Sequence, residues 1–210
     1  MRKILIILIF PLFTIAQNHL LPVQGYFDTY PHRLEYFPVI KKVLFENLSE
    51  TPSVQFIVTP SFSPEFVVQI NQQGDKFILN YNIAKESIWY SKKRNYVKIE
   101  KFKKEIQNDV ALKLIELYKL CIYQTKYEEE EIFGLDGTNY YFTIFDNGLK
   151  SGTIWSPEEE SKMGKLVEIS DILVDYATDS DIKLDDNFLK KANDLINLLK
   201  CRVGKGESHP

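Results

Sequence analysis

Apolar and polar residues alternate over three successive stretches. Val54, Phe56 and Val58 alternate with Gln55, Ile57 and Thr59; Phe66, Val68 and Ile70 with Glu65, Val67 and Gln69; Phe77, Leu79 and Tyr81 with Lys76, Ile78 and Asn80. A period of two marks extended chain with one covered face. Residues 60–64, with a proline at each end, and 71–75 carry the turn chemistry between the stretches. The three read as an antiparallel meander. A more polar fourth strand is predicted over Tyr96–Phe102, with Ile88-Trp89-Tyr90 as a short extended piece before it.

The sharpest local signal runs from Tyr140 to Trp155 about Asn147-Gly148. A two-residue type I′ loop needs φ > 0 at both central residues, which Asn-Gly supplies. Such a loop sets Asp146 opposite Leu149. Counting outward pairs Ile144 with Ser151, Phe142 with Thr153 and Tyr140 with Trp155 on one face, and Tyr141 with Ile154 on the other.

Helical spacing takes over elsewhere. Leu34, Phe37, Ile40, Leu44 and Leu48 predict a helix over 33–47 with Pro38 near its start. Val110, Leu114, Leu117 and Cys121 predict another from Asp109 to about Lys126, capped by Asn108 or Asp109. Ser156 and Pro157, with Glu159 as a capping-box partner, predict a third. The last runs over 186–203 and ends at Gly204. The fold expected is α+β: a mainly antiparallel sheet of five or six strands with three to four helices packed on one side.

Arg2 and Lys3 precede an apolar run from Ile4 to Ile15, and Thr14-Ile15-Ala16 has the residues of a cleavage site. This is the pattern of a signal peptide, and about twelve apolar residues fall short of the roughly 20 needed to span a bilayer. The expected organisation is a signal peptide over 1–16, a flexible arm over 17–25, one domain over 26–204 and a disordered tail over 205–210. Localisation is then secreted or periplasmic, soluble, with no membrane association after cleavage. Removing 1–16 takes away two basic residues and leaves 24 against 29 acidic ones. That acidic balance argues against a nucleic-acid partner.

Export would place Cys121 and Cys201 in an oxidising compartment, which suggests a disulfide between them. The alternative is one buried thiol and one exposed. No catalytic or metal motif is present, and of the three histidines only His32 lies outside the arm and the tail. Glu128–Glu131 and Asp136 could serve a hydrolase, although they also read as a solvated connection and a turn. Asp175, Asp179, Asp181, Asp185 and Asp186 carry oxygen ligands, but no EF-hand spacing, and Asp185 or Asp186 reads as a helix cap.

Lys92, Lys93, Arg94, Lys98, Lys101, Lys103 and Lys104 are interleaved with Trp89, Tyr90, Tyr96 and Phe102. Lysines on an edge strand guard against edge-to-edge pairing; the competing reading is an acidic surface or polysaccharide partner. Aromatic residues are 13% of the chain, and Tyr26, Tyr30, Tyr36 and Trp89 fit no strand face. They are the candidate contact surface, because tyrosine and tryptophan favour interfaces. The sequence does not by itself reveal an activity. It favours a non-catalytic binding, inhibitor or immunity-type module for a protein or saccharide ligand, with no cofactor, over a hydrolase using acidic residues near 128–136.

Overall fold

The computed structural model describes residues 18–27, 33–127 and 136–201. In chain order these form β1 (Leu21–Val23), α1 (Tyr36–Leu44), β2 (Val54–Pro60), β3 (Phe66–Gln73), β4 (Lys76–Ala84), β5 (Ile99–Ile106), α2 (Asn108–Tyr123), β6 (Thr138–Phe145), β7 (Leu149–Trp155), α3 (Lys162–Thr178) and α4 (Asp186–Lys200). The strands make one antiparallel sheet in the order β1-β7-β6-β2-β3-β4-β5. The meander lies where alternation placed it. Residues 88–90 form no strand, and β5 begins at Ile99 rather than Tyr96.

The sheet has seven strands, not five or six. The additional one is β1, inside the stretch expected to be a flexible arm. Three residues are too few to show a period, but β1 pairs with Ser151–Thr153. Leu20 beside it is fully buried, and Gly152 gives it room: a Cβ there would sit 2.8 Å from the Leu20 Cβ.

The β6–β7 hairpin closes through three residues, Asp146–Gly148, so Phe145 faces Leu149. Asn147 and Gly148 do take positive φ, at 52° and 123°, but the Asp146 N–H donates to Gly148 O. The expected pairs therefore slip by one: Thr143 faces Ser151, Phe142 faces Gly152 and Tyr140 faces Ile154. A slip of one moves every side chain of the strand to the other face. Ile154 thus joins Phe142 and Ile144 in the main core, while the Ser151 and Thr143 hydroxyls meet at 2.9 Å on the reverse side.

Both faces of the sheet are covered. Val54, Phe56, Val68, Leu79, Phe142 and Ile154 pack under α2, α3 and α4, where Leu114, Leu117, Leu166, Leu173, Leu195 and Leu199 are buried. Helix α1 lies on the opposite face, where Tyr36, Phe37, Ile40 and Leu44 pack on Ile57, Val67, Ala84 and Tyr141. The expectation of helices on one side is corrected accordingly. The reason is visible in the strands: Ile57 and Val67 occupy the supposedly solvent phase and need a cover.

Helix starts differ from expectation in two places. Ser156 has φ 36° and serves the hairpin, its hydroxyl accepting from Thr138 N and its N–H donating to Thr138 O. Helix α3 starts six residues later, with Ser161 Oγ accepting from Gly164 N as the cap. Helix α2 has no side-chain cap at Gln107, while Asp185 caps α4 as expected, accepting from Asn187 N and Phe188 N.

The disulfide is corrected too. Cys121 is buried in α2, Cys201 is exposed at the end of α4, and both are free. Burial pushes the Cys121 thiol up to about 12, so it stays protonated and inert.

Candidate functional site

The second face owes its architecture to a carboxylate. Glu65 sits just before β3, is fully buried, and accepts three hydrogen bonds: from the Tyr36 hydroxyl at 2.6 Å, Ile88 N at 2.7 Å and Trp89 N at 3.0 Å. A buried carboxylate is tolerated when such donors replace its water. The three bonds tie α1 and the 85–97 loop to the sheet. Burial, and next the Glu65 charge, push the Tyr36 phenol far above its ordinary range, so it remains a donor.

Pinned this way, Trp89 meets Tyr36 edge-on, with ring centroids 4.9 Å apart. Arg94 stacks on Trp89 at 5.2 Å and donates to its carbonyl oxygen through Nε and Nη2 at 3.2 and 2.8 Å. A cavity of about 240 Å³ opens beside the pair, lined by Arg33, Tyr36, Thr59, Ser61, Trp89, Tyr90 and Asp136 among others. With the Asn139 amide oriented to satisfy both groups, its Oδ1 accepts from Arg33 Nη1 at 3.0 Å and Nη2 at 3.3 Å. Ser61 fixes the far wall: its hydroxyl donates to Gly137 O at 2.7 Å and accepts from Gly137 N at 3.0 Å, which sets Asp136 at the rim. Thr59 is 5% exposed, and its hydroxyl has no hydrogen-bond partner among the described residues. A buried hydroxyl left in that state costs about 1–3 kcal/mol unless a ligand or water meets it.

Beyond Tyr90 the chain continues into a groove of about 590 Å³ lined by Glu35, Val39 and Ser91–Tyr96. Tyr96 is 82% exposed at its edge. Of the basic residues further along, Lys101 pairs with Glu46 at 2.6 Å, and Lys104 reaches Tyr176 O and Asp179 O. Strand β5, which carries them, is an edge strand, so guarding that edge accounts for Lys101, Lys103 and Lys104. It does not account for Lys92, Lys93 and Lys98. They precede the strand, are exposed, and make no ion pair among the described residues.

The predicted contact residues thus separate. Tyr36 and Trp89 meet at the cavity. Tyr26 is elsewhere on the same face, edge-on to Phe45 with Lys41 over its ring. Tyr30, His32, Glu128–Glu131, the signal peptide expected over 1–16 and the tail expected over 205–210 lie outside the described residues. Asp136 does line the cavity. Asp179 and Asp185 accept from backbone N–H groups of their own turns. No group of three or more His, Cys, Asp or Glu side chains among the described residues could hold a metal. Arg33, Thr59 and Glu65 were not legible as site residues. For Thr59 and Glu65 the signal was the mixed apolar and polar character of the supposedly exposed strand phase; Arg33 carried none.

On the helical face a second groove runs between Tyr140 and α3, lined by Glu159, Glu168, Asp171 and Asp175. Asp171 is an exposed residue by overall surface, yet its carboxyl is raised to about 6, by desolvation in the groove first and by Asp175 second.

The fold and the cavity define an α+β sheet protein, covered on both faces, with a small polar and aromatic pocket on its single-helix side. No family model, no curated protein and no solved structure matches the chain. No helix among the described residues is long and apolar enough to cross a membrane.

Proposed function

We propose that this is an exported, non-catalytic binding protein whose recognition site is the cavity beside Tyr36 and Trp89, and that it takes a saccharide unit there. The observation that carries the reading is an aromatic corner, held by a buried carboxylate, beside a cavity whose wall carries Arg33 and Asp136. Sugars present apolar faces that pack on aromatic rings, and hydroxyls that both donate and accept. Arg33 donates and Asp136 accepts, so the wall offers the mixture a sugar edge requires.

A hydrolase is the second reading, favoured by the place of Asp136 on the rim. Glycoside hydrolysis ordinarily needs two carboxylates flanking the bond. Asp136 is the one carboxylate among the described residues that lines the cavity, and Glu65, which holds Tyr36 there, is fully buried and committed to three donors. Binding is therefore preferred.

The test is a glycan array followed by calorimetry on protein recovered from the exported fraction. Trp89→Ala should weaken binding at least about tenfold, the loss of roughly 1.4 kcal/mol of stacking, while Lys190→Ala on α4 leaves it unchanged. Measurable turnover that Asp136→Asn abolishes would replace this reading with the hydrolase. An N-terminus other than Gln17 on that protein would refute the expected cleavage.

A further inference from the structure

We infer that the saccharide is acidic, and that its chain leaves the cavity along the basic groove formed by Ser91–Tyr96. The inference rests on the pocket reading above and adds the charge and the direction of the ligand.

Charge along the chain is strongly segregated. The whole protein carries -3, yet residues 85–104 hold eight basic and two acidic side chains. From Trp89 to Lys98 there are four basic residues and no acidic one. Lys92 and Lys93 line the groove, and Glu35 is the acidic side chain that lines it with them. Folding has not neutralised these lysines, since they make no ion pair among the described residues. Exposed like charges crowded on one loop repel each other, an arrangement that a bound polyanion relieves.

Cavity and groove adjoin along the chain. Tyr90 lines the first and Ser91 the second, and Arg94 joins them by lining the groove while stacking on Trp89. A ligand ring in the cavity with its neighbour over Ser91 would therefore pass Arg33, then Arg94, then Lys92 and Lys93. Planar guanidinium groups suit carboxylate and sulfate, and lysines add point charge without demanding geometry.

The same charges would attract a nucleic acid, but the aromatics disfavour it. Single-strand binders present open ring faces to successive bases. Here Arg94 covers one face of Trp89 and Tyr36 stands at 87° to that ring, making a corner rather than a row of platforms.

The test is a titration of the full exported chain with four probes of matched length: an oligogalacturonate, a sulfated heparin oligosaccharide, a neutral cello-oligosaccharide and oligo(dT). Each is measured at 50 and 200 mM salt. At least one acidic sugar should bind at least about tenfold tighter than the neutral one and than oligo(dT), and the two acidic probes tell carboxylate from sulfate recognition. Lys92→Ala/Lys93→Ala should lower that affinity about fivefold or more and flatten its salt dependence, while Trp89→Ala removes binding at both salt concentrations. Equal affinity for the neutral sugar, still lost in Trp89→Ala, would overturn the charge inference and leave the pocket standing. Binding led by oligo(dT), or a double lysine variant that binds as the parent does, would also overturn it. No binding of any sugar would remove both.

Discussion

Tyr36 donates a 2.6 Å hydrogen bond to Glu65, joining the first turn of α1 to the residue before β3 across 29 positions of sequence. The same carboxylate receives two backbone N–H groups of the 85–97 loop, so a single side chain sets the spacing between helix, loop and sheet.

Replacing it should be costly. Glu65→Ala would leave a phenol and two amides without their acceptor, and a buried donor so stranded costs about 1–3 kcal/mol. Relaxation of the loop recovers part of this, so the expected loss is roughly 2–4 kcal/mol by urea unfolding. Trp89 emission should shift to the red as the aromatic corner opens. Tyr36→Phe removes a single donor, and the double variant should show coupling of at least about 0.5 kcal/mol. Independent effects would mean the bond does not bear on α1.

Thiol chemistry separates the two cysteines. Native protein should react with an aromatic disulfide reagent at Cys201 alone, because Cys121 is buried and its thiol is pushed up to about 12. Both should react in denaturant. Two groups reacting at equal rates before unfolding, or none without reductant, would contradict the structure.

The acidic groove predicts a pH dependence. Asp171 holds its proton to about pH 6 in the fold, through desolvation first and Asp175 second, whereas an unfolded aspartate releases it near about 3.9. Between these values the native state binds more protons than the unfolded state. Stability therefore falls as pH rises: this contribution is fully present below about pH 4 and gone above about pH 6. Lys165, Glu168, Asp175 and Tyr140 face the same groove, so the comparison must be with Asp171→Asn in an otherwise intact chain. That variant should lose this segment of the pH profile. An unchanged slope would place the proton elsewhere.

Gly164 should tolerate no side chain. A Cβ there would press into the carbonyl oxygens of Glu158 and Glu159 in the turn that leads into α3. Gly164→Ala is expected to cost roughly 2–3 kcal/mol, in the range of overpacking strain, read as a lower urea midpoint with no change in slope.

Much of the sheet was legible because alternation is a long signal: β2, β3 and β4 each supply several repeats. The hairpin shows where such reasoning stops. Asn147-Gly148 rightly indicated residues with positive φ, but one further residue in the loop, Asp146, donates its N–H to Gly148 O and reverses the face of every β7 side chain. Ser156 misled for a related reason: its hydroxyl, a good helix cap in isolation, is spent on Thr138. β1 was hidden by brevity.

The site was half legible. Tyr36 and Trp89 stood out because large aromatics without a strand phase need another role. Glu65 did not, because a carboxylate in the outer phase of a strand ordinarily faces water. Its burial follows only from α1 crossing that face, a tertiary event to which Ile57 and Val67 were the single clue.

The outermost strands bear on how the protein behaves when concentrated. A neighbour trying to extend the sheet from one margin would find only the three residues of β1, and Pro22 has no N–H to offer. At the other margin it would meet Lys101, Lys103 and Lys104 of β5. Ribbon growth between copies is thus blocked by chain chemistry on one flank and by charge on the other.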